Sequence, residues 1–412
     1  MHYERKRGRW LLPAGAHAEA RLLLAARALR AFGDGYVSLL LPYYLTLLGF
    51  SALEVGVIAT ATLLGSGLMT LGVGLIAHRY PGRDLLRLAC LLMAATGVAV
   101  AFVTDFWPLV LVAVLGTINP SSGDVSVFVP LEHSLLARSV EDRSRTSLFA
   151  RYSLIGALAG ALGAQAAALP QFLGTLIGAS AKEAIQAMFL LYALLGAASL
   201  ALYHRLPPRF EALGQAPSVP LGRSRGIVYT LAALFSLDAF AGGFAVQSLL
   251  ALWLYERFGL SPAAAGTIFF WTGVLTALSY PIAAQLAARI GLVNTMVFTH
   301  LPANVFCVLA ALMPTLPLAV LFLLLRAALS SMDVPARTSY VMAVVTPEER
   351  PAAAGLTAVP RSLAAAVSPA LSGYLLTLTS FGWPLVICGG IKLAYDLALL
   401  ALFRKVKPPE ER

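Results

Sequence analysis

The sequence predicts an all-α integral membrane protein, with twelve transmembrane helices in two pseudo-symmetric six-helix bundles. Three observations predict it. Of 412 residues, 59% are hydrophobic and only 12% are charged, about half the charged share of a soluble globular domain. The apolar residues fall in runs of membrane-spanning length, and the second half of the chain repeats the first at a near-constant spacing. A mean hydropathy of +0.79 means more apolar surface than one soluble core can bury. Soluble-enzyme, disordered and collagen-like readings are excluded by the same figures.

A membrane helix needs about 20 mainly apolar residues, and open strands are not tolerated in lipid. Twelve such runs are found, at 22–48, 53–78, 84–104, 108–137, 146–169, 185–204, 227–255, 262–288, 293–313, 317–345, 352–378 and 383–403. The first, fourth, seventh and tenth carry interior charges, so they rest on length and position as much as on hydropathy. The loops test the map. With odd spans starting inside, Arg5, Lys6, Arg7, Arg9, Arg79, Arg83, Arg87, Arg138, Arg143, Arg145, Arg205, Arg209, Arg223 and Arg225 share one side. Arg289, Arg350, Arg404, Lys405 and Lys407 join them, and the opposite side keeps little more than Lys182 and Arg257. That asymmetry is what the positive-inside rule expects of a protein with both termini cytoplasmic. It also explains the net charge of +10 without a nucleic-acid partner.

The resulting organisation is a cytoplasmic tail at 1–21, a six-helix bundle at 22–204, a linker at 205–226, a second bundle at 227–404 and a tail at 405–412. The linker is charged and holds Pro207, Pro208, Pro217 and Pro220, a composition that spaces rather than folds. The segment Met1 to Ala20 has a basic start and an Ala16-His17-Ala18 that mimics a cleavage site. It lacks the apolar stretch of a signal peptide, so the first span is expected to serve as the targeting signal. Cys90, Cys307 and Cys388 lie in apolar runs with no metal-like spacing, and no disulfide framework follows.

Sliding the second half back by 210 residues aligns 49–79 with 259–289 without a gap. The identical pairs include Gly49/Gly259, Ser51/Ser261, Gly56/Gly266, Thr62/Thr272 and Arg79/Arg289. Ser121-Ser122-Gly123-Asp124-Val125 in span four mirrors Ser330-Ser331-Met332-Asp333-Val334 in span ten, 209 residues later. Glu141-Asp142-Arg143 answers Glu348-Glu349-Arg350, and Leu200-Ala201-Leu202-Tyr203 answers Leu400-Ala401-Leu402-Phe403. Polar matches at one offset are not a product of apolar composition, and they point to a transporter built from repeated halves.

The loop between spans two and three reads Gly74-Leu75-Ile76-Ala77-His78-Arg79-Tyr80-Pro81-Gly82-Arg83. With the twelve spans and the repeat, it resembles the major facilitator superfamily, whose signature there is G-x-L-A-D-R-x-G-R-R/K. The resemblance covers essentially the whole chain. His78 replaces the family's aspartate and Pro81 is an inserted residue. In the family that aspartate helps lock the halves on the cytoplasmic side, so the resemblance implies a weaker or pH-sensitive latch here. It assigns a gating role to Gly74, His78, Arg79, Gly82 and Arg83, and to Arg289 and Gly291 of the second-half copy. Span five carries Gly156, Gly160 and Gly163, similar to the glycine-rich stretch of family antiporters but without its glycine-proline pair; span eleven has Pro369 and Gly373. These are read as packing residues.

Ionisable residues at bilayer depth cost about 2.5–3.5 kcal/mol each, which makes each a candidate for function. Asp34, Asp124, Asp238 and Asp333 fall near the middle of spans one, four, seven and ten. The resemblance implies that these four helices line a central cavity. Arg27, Arg30 and Asp34 share one helix face, Asp333 and Arg337 are one turn apart, and Arg326 precedes Asp333 by two turns. Glu132 and His133 sit near the cytoplasmic end of span four, and Lys392 with Asp396 form another i, i+4 pair. Each pair reads equally as a static buried ion pair, and Arg27 as a residue snorkelling to the interface. Asp124 and Asp238 have no basic residue within a turn of their own helix, which makes them the leading proton-coupling candidates. Tyr36 and Phe244 are the aromatic candidates for the cavity wall, and Arg30, Arg326 and Arg337 the candidate charge partners or substrate contacts.

The function expected is secondary transport of a small solute by alternating access, driven by a proton gradient with no cofactor and no metal. Proton antiport that exports a drug-like or metabolite solute comes first, and proton-coupled uptake second. No nucleotide-binding motif supports ATP-driven pumping. Six scattered histidines, with His300 placed near a rim, supply no enzyme site, and no appended domain supports a sensor. A monomer in the lipid bilayer of a bacterial inner membrane is expected.

Overall fold

The structure, a computed structural model, describes residues 17, 19–76, 79–121, 126–139, 142–207, 221–222, 224–346 and 349–406. Asp124, His78, most of both tails and most of the linker lie outside the described residues. Among the described residues, sixteen α-helices are found. The first eight are α1 (Ala20–Leu47), α2 (Ala52–Ile76), α3 (Gly82–Phe102), α4 (Phe106–Leu115), α5 (Phe128–Arg138), α6 (Asp142–Ala166), α7 (Leu169–Ile177) and α8 (Ala181–His204). After the linker come α9 (Arg225–Gly243), α10 (Gln247–Phe258), α11 (Pro262–Ile290), α12 (Leu292–Leu312), α13 (Leu316–Ser330), α14 (Asp333–Ala343), α15 (Arg350–Leu378) and α16 (Trp383–Phe403).

Among the described residues, nine stretches are long and apolar enough to cross a membrane. The first, fourth and eleventh expected spans, held by α1, α4 with α5, and α15, are not among them. Arg27, Arg30 and Asp34 lower the hydropathy of α1, and Arg350, Arg361 and two interior prolines that of α15. The fourth, seventh and tenth expected spans are each two helices rather than one. Prolines supply the reason in two of them. Pro130 and Pro335 carry no N–H to continue a helical ladder from the preceding turn, and α5 and α14 begin just before them. In the seventh, Gly242-Gly243 ends α9 and the extended Val246 opens α10. Elsewhere the ends are capped locally. Ser180 and Glu183 form a capping box on α8, and Ser261 accepts from the Ala264 N–H at the start of α11.

The helix packing runs α1 against α6 and α8, α3 against α8, α12 against α13 and α16, and α9 against α15 and α16. The main contacts that join the two halves are α2 with α15, α6 with α11, and α1 with α10, with smaller ones of α1 with α11 and α2 with α10. Close approach at the first depends on glycine. A Cβ on Gly56 would lie 2.5 Å from the Pro369 carbonyl oxygen and 2.9 Å from Gly373 Cα. Gly160 and Gly163 of α6 do the same for α1, where Gly35 and Phe32 lie against them, so the glycine-rich stretch is packing surface.

Among the described residues, this seam is closed at one end only. Ala370 N–H donates to Thr60 Oγ1 at 3.0 Å, Gln247 Nε2 to Ser38 Oγ at 3.0 Å, and Tyr255 OH to the Leu39 carbonyl at 3.0 Å. Ser248 N–H donates to the Pro120 carbonyl at 3.0 Å, and the Tyr43 and Tyr255 rings meet edge-on at 5.5 Å. All of these lie toward the end where α1 finishes and α2 begins, the far side. Antiparallel α2 and α15 pair Gly56 with Gly373, then Thr60 with Ala370, then Gly67 with Ser362. The next positions, Gly74 and Gly355, each face open space. Among the described residues, the halves therefore part on the side where α8 ends and α9 begins, the linker side.

Candidate functional site

The second half encloses a cluster of buried charge drawn from four helices. Asp238 on α9 receives Lys392 Nζ from α16 at 2.5 Å and Arg337 Nη1 from α14 at 3.3 Å. Arg337 also bridges to Asp333 Oδ2 at 3.2 Å. On the opposite flank, Asp396 accepts from Asn304 Nδ2 at 2.8 Å and pairs with His300 Nδ1 at 2.9 Å, while His300 Nε2 stands 3.9 Å from Asp238 Oδ1. Every one of these residues is at most 8% exposed. Charges removed from water this completely persist only when paired and hydrogen-bonded, which is what the cluster achieves.

The first half holds a smaller counterpart. Arg30 on α1 forms an ion pair with Glu132 on α5, and Tyr152 and Tyr203 donate their hydroxyls to the same carboxylate at 2.6 and 2.7 Å. The Arg30 guanidinium lies 3.9 Å from the Phe128 ring centroid, a cation–π contact. Asp34 lies one turn further on, and Tyr192 OH approaches it at 3.4 Å while facing the Thr117 carbonyl at 3.2 Å. Both halves thus join their first helix to the lower part of their fourth by an arginine–carboxylate pair. The sign is reversed: arginine stands on α1 and aspartate on α9.

Several expectations need correction. Asp238 is not unpaired, because Lys392 and Arg337 reach it from other helices. Lys392 and Asp396, four residues apart, turn to Asp238 and His300 instead of to each other. Arg30 takes Glu132, not Asp34, as its partner. His300 is at mid-helix in α12 and 3% exposed, not at a rim. In each case tertiary partners displace the partner a single helix offers. The Asp333–Arg337 pair does form. Arg326 stands beside the thiols of Cys307 and Cys388. Tyr36 is fully buried, donating to the Met188 carbonyl at 3.1 Å, and Phe244 packs edge-on against Phe240. Neither ring is presented to an open cavity.

On the linker side, Gly74 lies in the last turn of α2 and Gly82 opens α3. Arg83 donates to the Leu206 carbonyl at 3.1 Å, a tie within the first half rather than across to the second. Arg79 sits in the turn between. Arg289 is exposed in the last turn of α11. Gly291 follows with φ of 87°, a backbone state that favours glycine, and this sets the angle between α11 and α12.

Residue-level reading of the sequence missed Asn304, Tyr192, Tyr152 and Tyr203. His300 and Asn304 stand i, i+4 on an otherwise apolar helix, and that pattern was available as a signal. The tyrosines carried none, since tyrosine in a membrane helix is commonly an interface anchor.

The model of the Major Facilitator Superfamily matches residues 23–323 and 230–412. The chain is 24% identical to an uncharacterized membrane protein of Saccharomyces cerevisiae, over 94% of each chain. Among solved structures it resembles the nucleoside transporter NupG, with a TM-score of 0.71 at 15% identity over 94% of this chain and 100% of that one. It also resembles the xylose transporter XylE of E. coli in a partially occluded inward-open state, with a TM-score of 0.69 at 14% identity over 93% and 99%. A bacterial homologue of the iron transporter ferroportin, in an inward-facing state, gives 0.69 at 17% over 93% and 98%. At these identities the likeness is one of fold. Family and neighbours are transporters of small solutes rather than enzymes, and the chain belongs to the Major Facilitator Superfamily.

Proposed function

We propose that this protein is a proton-coupled secondary transporter that exports a small drug-like or metabolite solute by antiport, its halves rocking about the α2–α15 and α6–α11 contacts. The observation that carries the reading is the one-ended seam, closed on the far side and parted beyond Gly67 on the linker side. Alternating access requires such a state and its inverse. The neighbours described as inward-facing support calling the linker side cytoplasmic, in line with the basic loops there. On this reading twelve helices span a bacterial cell membrane, in bundles at 22–204 and 227–404, with both termini inside. Asp34, Asp238 and Asp333, together with Asp124, supply the protonatable groups, and Arg30 and Arg337 their charge partners. Tyr36, Phe244 and Arg326 would reach solute only after rearrangement.

Uptake by proton symport is the second reading. The missing glycine-proline pair in span five favours it. Reconstitution into liposomes with an imposed pH gradient separates the two. Antiport drives solute toward the acidic side, and symport drives it away. Solute flux unaffected by the gradient would overturn proton coupling in both.

A further inference from the structure

The cluster in the second half has a property that its ion pairs do not exhaust. It contains three carboxylates, Asp238, Asp333 and Asp396, against two permanent cations, Lys392 and Arg337. With a neutral imidazole at His300, one negative charge is left uncompensated among residues that are nearly all excluded from solvent. With an imidazolium the cluster is neutral. Placing an unbalanced charge at low dielectric is costly, so the cluster is built to hold one proton more than its aspartates and fixed cations require.

Geometry says where. Asp396 Oδ1 accepts from His300 Nδ1 at 2.9 Å, while Asn304 Nδ2 occupies Oδ2 at 2.8 Å. The Asp396 carboxylate therefore fixes the imidazole with its Nε2 edge aimed at Asp238 Oδ1. The remaining 3.9 Å gap is longer than a hydrogen bond, so that edge is poised rather than engaged. A shift of about 1 Å would close it to hydrogen-bond length. Lys392 Nζ binds that same Oδ1 while Arg337 holds Oδ2, so a proton at Nε2 competes directly with the Lys392 ammonium. Closing the gap would loosen α16 from α9.

Each helix packed around His300 contributes its own polar groups. From α16 come Lys392, Asp396 and Tyr395, whose ring meets His300 edge-on at 6.0 Å. From α14 come Asp333, Arg337 and Tyr340, and Tyr340 donates to the Val406 carbonyl at 3.0 Å. α9 contributes Asp238, and α11 carries Tyr280 and Arg289. α13 contributes Arg326, which faces the thiols of Cys307 on α12 and Cys388 on α16; Cys307 in turn lies within electrostatic reach of His300 and Lys392.

We propose that His300, held between Asp396 and Asp238, is the residue on which the second half takes up and returns a proton, its Nε2–H engaging Asp238 in exchange for the Lys392 ammonium now bound there. This deepens the proton-coupled reading above and rests on it for the use made of the proton, though not for the site.

The test is nitrogen-15 NMR of the full chain in nanodiscs. Labelled histidine is introduced with His2, His17, His78, His133 and His204 replaced by glutamine, which leaves His300 as the sole signal. Should that chain not fold, the difference between wild type and His300→Gln spectra gives the same signal. The expected result is a change in the His300 ring-nitrogen signals with pH over the range in which the protein stays folded, displaced in Asp396→Asn. In proteoliposomes, His300→Gln should retain solute exchange and lose gradient-driven accumulation. No change in protonation across that range, no displacement in Asp396→Asn, or normal accumulation by His300→Gln would each overturn the proposal. Wild-type flux indifferent to pH, with His300 titrating as stated, would refute proton-coupled transport and uphold the protonation site.

Discussion

Lys392 on α16 donates to Asp238 on α9 at 2.5 Å, tying the last helix of the second half to its first across a buried interior. Arg337 grips the other oxygen of the same carboxylate at 3.3 Å. Three helices are thus held by one side chain, and the stability of the half depends on it. Lys392→Met leaves a buried carboxylate with a single cation and is expected to cost about 3 kcal/mol. Adding Asp238→Asn should recover most of that loss. Denaturant titration of both variants in detergent checks the pair, and a double variant no more stable than the single one would contradict it.

Glu132 plays the corresponding part in the first half, with three donors on one carboxylate. Glu132→Gln weakens the Arg30 pair and both tyrosine bonds together, so its expected cost of about 3 kcal/mol exceeds that of Tyr203→Phe, about 1 kcal/mol. The ranking is the prediction, read from unfolding midpoints of the two variants measured side by side.

Glycines at the α2–α15 crossing should divide by position. A Cβ at Gly56 meets backbone on α15, whereas Gly74 faces open space. Gly56→Leu is therefore expected to abolish folding or transport. Gly74→Leu should fold normally and fail to close the linker side, which gives solute binding without turnover. Flux and binding measured on the same preparation distinguish the two.

The linker end is fastened by a charge whose strength depends on pH. Glu349, preceding α15, accepts from the Ser224 hydroxyl and from the Gly222 N–H at 2.5 Å, and these donors hold its carboxyl below the usual range. A carboxyl depressed by folding stabilises the folded state above its unfolded value, about 4.3, and loses that contribution as pH falls through the folded value. Glu349→Gln should accordingly lower the melting temperature at pH 7 and have a shrinking effect below about pH 4. A difference independent of pH would show that the carboxylate charge is not what fastens the linker.

The all-helical membrane fold and the superfamily were legible in composition and hydropathy, because lipid makes hydropathy and topology nearly equivalent, while the expected first, fourth and eleventh spans carry charges or prolines that hydropathy alone does not pass. The breaks within the fourth and tenth spans were marked by Pro130 and Pro335, but the uninterrupted hydropathy around them masked the signal. Ion-pair partners were not legible. Sequence spacing offers Lys392 to Asp396 and Arg30 to Asp34, and in both cases a carboxylate on another helix gives a more buried, better-bonded pair. The same limit hid His300, whose partners lie 62 and 96 residues away along the chain.

The central claim is that the seam opens at one end as it closes at the other. Spin labels on Gly74→Cys with Gly355→Cys report the linker side, and on Ser51→Cys with Ser380→Cys the far side. The native Cys90, Cys307 and Cys388 are buried and free, so labelling is expected to be confined to the introduced pairs. Pulsed electron–electron distance measurements across pH and with added solute should show the 74–355 distance shortening as the 51–380 distance lengthens. Distances that stay fixed under every condition, or that lengthen together, would contradict alternating access in this protein.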